Sequence, residues 1–351
     1  MSRPLDTEAR ATEAQTVSPA TVLPTAPRRA EGWPGLWQDL RQSRASLLIL
    51  LGLLLFNALF TPHFLSVQTL NVNLTQVATI IIVAMGMTLV IATGGVDLSV
   101  GSLMAISGVL APLIFLNAAF GGAPALGVAL ALTVPVLVAG AFGWLNGLFV
   151  TRLRLQPIVA TLVLYIAGRG IAQVMTDGQL QSFTRPDFAY IGLGRPFGVP
   201  FQVLLMLVVV AVTYWVVKRT VFGRFVLAVG GNAAAARLSG VPVDQVRLLV
   251  YTLSGLLAGL AGLIVIAINS SSDANQVGQG MELDAIAAVA VGGTLLSGGR
   301  AQVLGTFFGA LIIQLIRYTL LAKNVPDAAA LVVKAAIIVA AVALQQRRRR
   351  E

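Results

Sequence analysis

No cysteine occurs in this chain of 351 residues, so disulfides and thiolate metal sites are both excluded. Histidine is nearly absent as well: the single His63 cannot assemble a zinc site and reads as a polar loop residue. Charge is scarce, at 11% of residues against roughly a quarter in soluble domains. Hydrophobic residues make up 57% and the mean hydropathy is +0.85, which excludes a water-soluble fold. Lysine is limited to Lys218, Lys323 and Lys334, and the dipeptide Gly-Lys never occurs. There is therefore no nucleotide-hydrolysing phosphate loop, and the chain does not cleave ATP by itself. Gly230-Gly231-Asn232 follows no βαβ strand, which weakens a dinucleotide reading. No nucleophile has a partner histidine, as a hydrolase would need. The chain reads as a non-enzyme with no cofactor and no metal.

What is present is a series of apolar runs, each close to the roughly 20 residues that cross a bilayer. They fall near 45–60, 74–92, 98–119, 124–150, 157–176, 199–217, 246–269, 281–297, 301–321 and 326–344. This predicts an all-α polytopic membrane protein of about ten transmembrane helices over residues 45–344. Residues 1–44 read as a disordered cytoplasmic leader, in which Trp33 and Trp37 suit the headgroup level, and 345–351 as a basic cytoplasmic tail. No apolar core precedes Leu47, so no cleavable signal peptide is expected.

The formal net charge of +10 reports topology. The basic residues lie in short loops, not on a patch interleaved with aromatics, which argues against nucleic acid. With the N-terminus cytoplasmic, Arg152, Arg154, Lys218, Arg219, Arg224, Arg237, Arg247, Arg300 and Arg347 to Arg350 share the inner side. Only Arg185, Arg195 and Lys323 lie outside, so both termini are expected in the cytoplasm of a multi-pass inner (plasma) membrane protein.

Two short apolar stretches run into glycine pairs about two hundred residues apart. The first reaches Thr93-Gly94-Gly95-Val-Asp97-Leu-Ser99 and the second Ser297-Gly298-Gly299-Arg300, and in both a third glycine, Gly101 or Gly305, follows the second of the pair by six residues. Matching glycine-interrupted segments in two halves point to a transporter's central site, so two pseudo-repeated halves are expected. If these junctions are the hinged ends of spans that line the path, Gly94, Gly95, Gly298 and Gly299 would need positive φ or close approach; the alternative is ordinary turn glycines in cytoplasmic loops. Asp97, Asp284, Arg169, Arg317 and Lys334 lie in or near apolar stretches, where an ionisable group is either functional or a snorkelling or paired structural residue. Gly143 with Gly147, Gly255 with Gly259 and Gly305 with Gly309 are spaced for close helix packing, within one bundle or across a dimer.

Residues 218–246 form a patterned segment on the expected inner side. Asn232 is a good N-cap for Ala233 to Ala236, and Gly240 a good C-cap with Pro242 beyond. A capped two-turn helix there is a docking surface for a soluble partner or an ordinary interfacial helix.

The chain resembles the permease subunits of ribose, galactose and galactofuranose-type ABC sugar importers. The resemblance lies in Gly86 to Ser102, Ala228 to Val241 and Glu282 to Arg300, with Asn146-Gly147 and Gln156 to Leu162, and covers roughly residues 45–344. Thr176 to Leu180, Pro186-Asp187 and Ser272 to Asn275 look most like the galactofuranose type. The resemblance implies that Gly223 to Gly240, including Gly230, Asn232, Ala235, Ala236 and Arg237, couples to an ATP-binding subunit. It also implies a second permease subunit and a periplasmic sugar-binding protein. A sugar path needs hydroxyl-compatible walls, for which Thr93, Ser99, Asn146, Asn269 and Ser297 are candidates, although such groups often satisfy helix backbones instead. The rivals are an ion-coupled secondary sugar transporter using Asp97 or Asp284, and an ABC permease for another solute such as branched-chain amino acids.

Overall fold

Apolar sequence in a bilayer can satisfy its backbone only as helix or closed barrel, and here it is helix. The computed structural model describes residues 36–339, apart from 121, 327, 330, 334, 337 and 338. In chain order the helices are α1 (Leu36–Gln42), α2 (Arg44–Phe60), α3 (Val67–Ala92), α4 (Val100–Phe115), α5 (Pro124–Thr151), α6 (Pro157–Val174), α7 (Pro186–Leu193), α8 (Phe201–Arg219), α9 (Val221–Gly231), α10 (Ala233–Leu238), α11 (Val243–Asn269), α12 (Met281–Val291) and α13 (Val303–Ala322). Two-residue strands β1 (Gln181–Ser182) and β2 (Ser271–Ser272) pair antiparallel and tie the loop after α6 to the loop after α11.

Six helices, α3, α5, α6, α8, α11 and α13, are long and apolar enough to cross a membrane, with α2 and α4 shorter. Helices therefore occupy nine of the ten expected spans, and the tenth, 326–344, lies partly outside the described residues. Lys334, residues 1–35 and the tail 345–351 lie outside them too. The span expected over 281–297 is cut short. Gly292 and Gly293, the latter at φ +86°, stop α12 after 11 residues, about 16 Å against a core of about 30 Å.

Burial sorts the helices into a centre and a rim. Residues 77–92 of α3 are buried without interruption, the sign of a helix surrounded on all sides. Helices α5, α6 and α8 instead leave Leu137, Ile166 and Val208 exposed, as lipid-facing helices do. The small-residue repeats act within the bundle: a Cβ on Gly255 would meet Ala139 O and Gly143 Cα, joining α11 to α5, and one on Gly309 would meet Ala288 O, joining α13 to α12.

Residues 36–42, placed in the leader by sequence, form α1. Buried Asp39 holds it there, with Lys218 Nζ at 2.6 Å and Tyr214 Oη donating at 2.8 Å, both on α8. Those partners lie far off in sequence, so no local pattern announces the helix.

Candidate functional site

The first glycine junction begins where Thr93 caps α3, its hydroxyl donating to Val90 O at 2.8 Å. Gly94 takes φ +82°, a left-handed conformation that costs a residue with a side chain roughly 1–2 kcal/mol. Gly95 has no positive φ; a Cβ there would lie 2.5 Å from Tyr251 Oη. Asp97 is fully buried and accepts three hydrogen bonds: from Ser99 N (3.0 Å), Ser99 Oγ (2.6 Å) and Ser254 Oγ (2.7 Å). Asn146 Nδ2 donates to Ser99 Oγ at 2.8 Å, and Leu98 N to Thr161 Oγ1 at 3.1 Å. This knot fastens the junction to α5, α6 and α11.

The second junction lies between α12 and α13. Gly298 and Gly299 take φ +87° and +80°, and Gln302 N donates to buried Thr294 Oγ1 at 2.9 Å. The two junctions touch. Gly299 N donates to Ala92 O at 2.9 Å, and a Cβ on Gly298 would come within 2.8 Å of Gly94 N.

A third glycine pair meets them at the same place. A Cβ on Gly230, near the end of α9, would collide with Ala92 O and Gly299 N, and one on Gly299 would lie 3.0 Å from Gly231 Cα. Three backbone segments thus cross with no side chain between them. Each pair is visible in the sequence; their convergence is not, because nothing local relates residues 94, 230 and 298.

Helix α10 forms as the caps predict. Asn232 Oδ1 accepts from Ala234 N and Ala235 N, both at 3.0 Å. At the other end Gly240, at φ +82°, donates to Arg237 O and Val241 N to Ala236 O, a Schellman closure. The segment Gly223 to Gly240 is not one helix but two, broken at Asn232: α9 precedes α10 and is capped by Thr220 Oγ1, which accepts from Gly223 N at 3.1 Å. Ala235 and Arg237 are exposed, while Ala236 is buried and Gly223 packs against the Val216 and Val217 carbonyls of α8. Leu238, overlooked in the sequence, is 90% exposed, an unsatisfied apolar side chain on this element.

Thr93, Gly94, Gly95, Gln156, Arg237 and Tyr251 line a cavity of about 530 Å³ that links the first junction to α10. Ser297 is exposed at the second junction. Asn269 is separate: it ends α11, about 22 Å along the axis from Ser254. Among the described residues no group of His, Cys, Asp or Glu could hold a metal. Arg169 Nη1 donates to Ala274 O and Val277 O, both at 2.7 Å, and so braces the loop between α11 and α12.

Long apolar helices and paired discontinuous junctions define a multi-pass membrane permease. Over residues 70–342 the chain matches the family described as the branched-chain amino acid transport system permease component, and it belongs to that family. It is 42% identical over 272 residues to the ribose import permease protein RbsC of Escherichia coli, covering 76% of this chain and 82% of that one. It is 38% identical over 317 residues to the galactofuranose transporter permease protein YtfT of Escherichia coli (86% and 87% covered). The L-arabinose ABC transporter permease protein AraH of Azospirillum brasilense is 33% identical over 317 residues (90% and 90%). No solved structure matches the chain significantly.

Proposed function

We propose that the chain is the membrane-spanning subunit of an ABC importer in the bacterial inner membrane, with both termini cytoplasmic, and that it forms the path for a monosaccharide. A separate ATP-binding subunit hydrolyses ATP and docks on α9 and α10. A periplasmic sugar-binding protein delivers the solute, and a second permease subunit completes the path.

The observation that carries this reading is the glycine crossing. Ala235 and Leu238 offer a partner an exposed surface, and α9 leads directly from that surface to Gly230. There the backbone of α9 presses on Ala92 and Gly299 with no deformable side chain between. A displacement of α9 therefore moves the ends of both half-repeats together, which is what rocking between outward and inward openings needs. The names of the relatives favour a sugar over the amino acids of the family's description. Of the two carboxylates that an ion-coupled carrier could use, Asp97 and Asp284, Asp97 is built into the first junction, where it accepts three hydrogen bonds from Ser99 and Ser254.

Uptake measured in cells separates the two. Transport should continue when the ion gradients are collapsed and stop when ATP is depleted; the reverse result overturns the reading.

A further inference from the structure

A second cavity, of about 220 Å³, lies at the opposite ends of α3 and α8 from the glycine crossing. Thr75 on its wall is roughly 25 Å along α3 from Ala92, at 1.5 Å per residue. Half of its lining is polar, which is unusual between apolar helices: Asn71, Thr75 and Gln76 from α3, Gln202 from the first turn of α8, and Arg195 from the loop before it; the other half is apolar or glycine.

Gln202 is 1% exposed. Its Nε2 donates to Thr75 Oγ1 at 3.1 Å, which fixes the amide, and its Oε1 has no partner among the described residues. Buried polar groups are normally satisfied, and an exception calls for an explanation. Gln76 is also held in place: Gln314 Nε2, from α13, donates to Gln76 Oε1 at 2.6 Å, which leaves the Gln76 amide nitrogen as a donor. Arg195 is exposed at the rim with a guanidinium able to donate in several directions.

We propose that this niche is a sugar subsite of the permease. This rests on the reading that the chain carries a monosaccharide. Gln202 Oε1 accepts from one ring hydroxyl, and Asn71, Gln76 and Arg195 supply the donors for others. Neutral amides that both donate and accept match a polyhydroxyl ring. A branched-chain amino acid would need an anionic partner for its ammonium group, and this lining holds no carboxylate. The volume equals about seven waters at roughly 30 Å³ each and is below the roughly 300–1,000 Å³ of pockets for drug-sized ligands, so it suits one sugar ring and is too small to enclose two.

The test uses the whole importer in proteoliposomes, with its ATP-binding subunit and binding protein, and labelled D-ribose, L-arabinose, D-fructose and D-galactose. Wild type that imports neither these four nor D-galactofuranose overturns the proposed function itself, which separates that failure from a failure of the niche. Where one is imported, Gln202→Leu should cut uptake about tenfold while complex yield stays within about twofold of wild type. Arg195→Ala and Asn71→Ala, at the open side where folding is not at stake, should each change the ratio of uptake between sugars by about threefold or more. A structural defect would lower all sugars equally. Unchanged ratios in both rim variants, or a Gln202→Leu loss that only tracks lost complex, overturn the subsite.

Discussion

A methyl group on Gly230 would strike the Ala92 carbonyl oxygen, while one on Gly231 would meet open space. Gly230→Ala should therefore reduce sugar uptake about tenfold or more, and Gly231→Ala should leave it within about twofold; equal effects would show that the crossing transmits nothing. The same logic applies at the junctions. Gly299, at φ +80°, and Gly95, against Tyr251 Oη, cannot take a β-branched side chain without displacement. Gly95→Val and Gly299→Val should abolish uptake and leave the ATP-binding subunit bound, and parallel loss of both, or of neither, defeats the hinge reading. Asp97 makes a different prediction. Asp97→Asn puts an amide donor among the Ser99 and Ser254 donors, and loss of charge-assisted bonds costs about 1.5–3 kcal/mol. A lower melting temperature in detergent is the expected result; a variant that melts as wild type but no longer transports would favour an ion-carrying Asp97.

At the scale of the element, α10 has two faces. Ala235 and Leu238 point outward, and Ala236 is buried. Ala235→Glu and Leu238→Glu should insert normally and lose association with the ATP-binding subunit, whereas Ala236→Glu should lower the yield of folded protein. Continued co-purification and normal transport in the first two would remove α10 from the docking surface. The helix itself was legible because its signals are local: Asn232 and Gly240 act within a few residues of their own positions. The long spans were legible for the same reason, since bilayer thickness sets their length. What the sequence could not disclose are contacts between remote segments. Tyr251 and Ser254 carry no signal of their role at the first junction, and Gly230 is indistinguishable in sequence from a turn glycine. Helix α1 was hidden because Asp39, Lys218 and Tyr214 become partners only once α8 is in place.

For the whole molecule, two sets of loops are gathered at opposite ends of the bundle, and each set is internally cross-linked. Strand pairing of Gln181 with Ser272 holds the loop after α6 beside the loop after α11, and Arg169 braces that same region through Ala274 and Val277. At the other end Gly230 meets Ala92 and Gly299, and Gln42 of α1 bonds Gln302. The residues around Gly178 and Ser271 must therefore share one side of the membrane, and Gly231 and Gly298 the other. The proposed orientation rests on basic charge: Arg152, Arg154, Lys218, Arg224, Arg237 and Arg300 lie with the second set, and loops rich in such residues ordinarily stay on the cytoplasmic side. A reporter active only outside the cytoplasm should work when fused after Gly178 or Ser271 and be silent after Gly231 or Arg348. Because the structure links Gly178 to Ser271, these two fusions must agree with each other whatever the orientation. Disagreement between them would refute the helix count between α6 and α11. Joint silence, with activity at Gly231, would invert the protein in the membrane and put α10 out of reach of any cytoplasmic ATP-binding subunit.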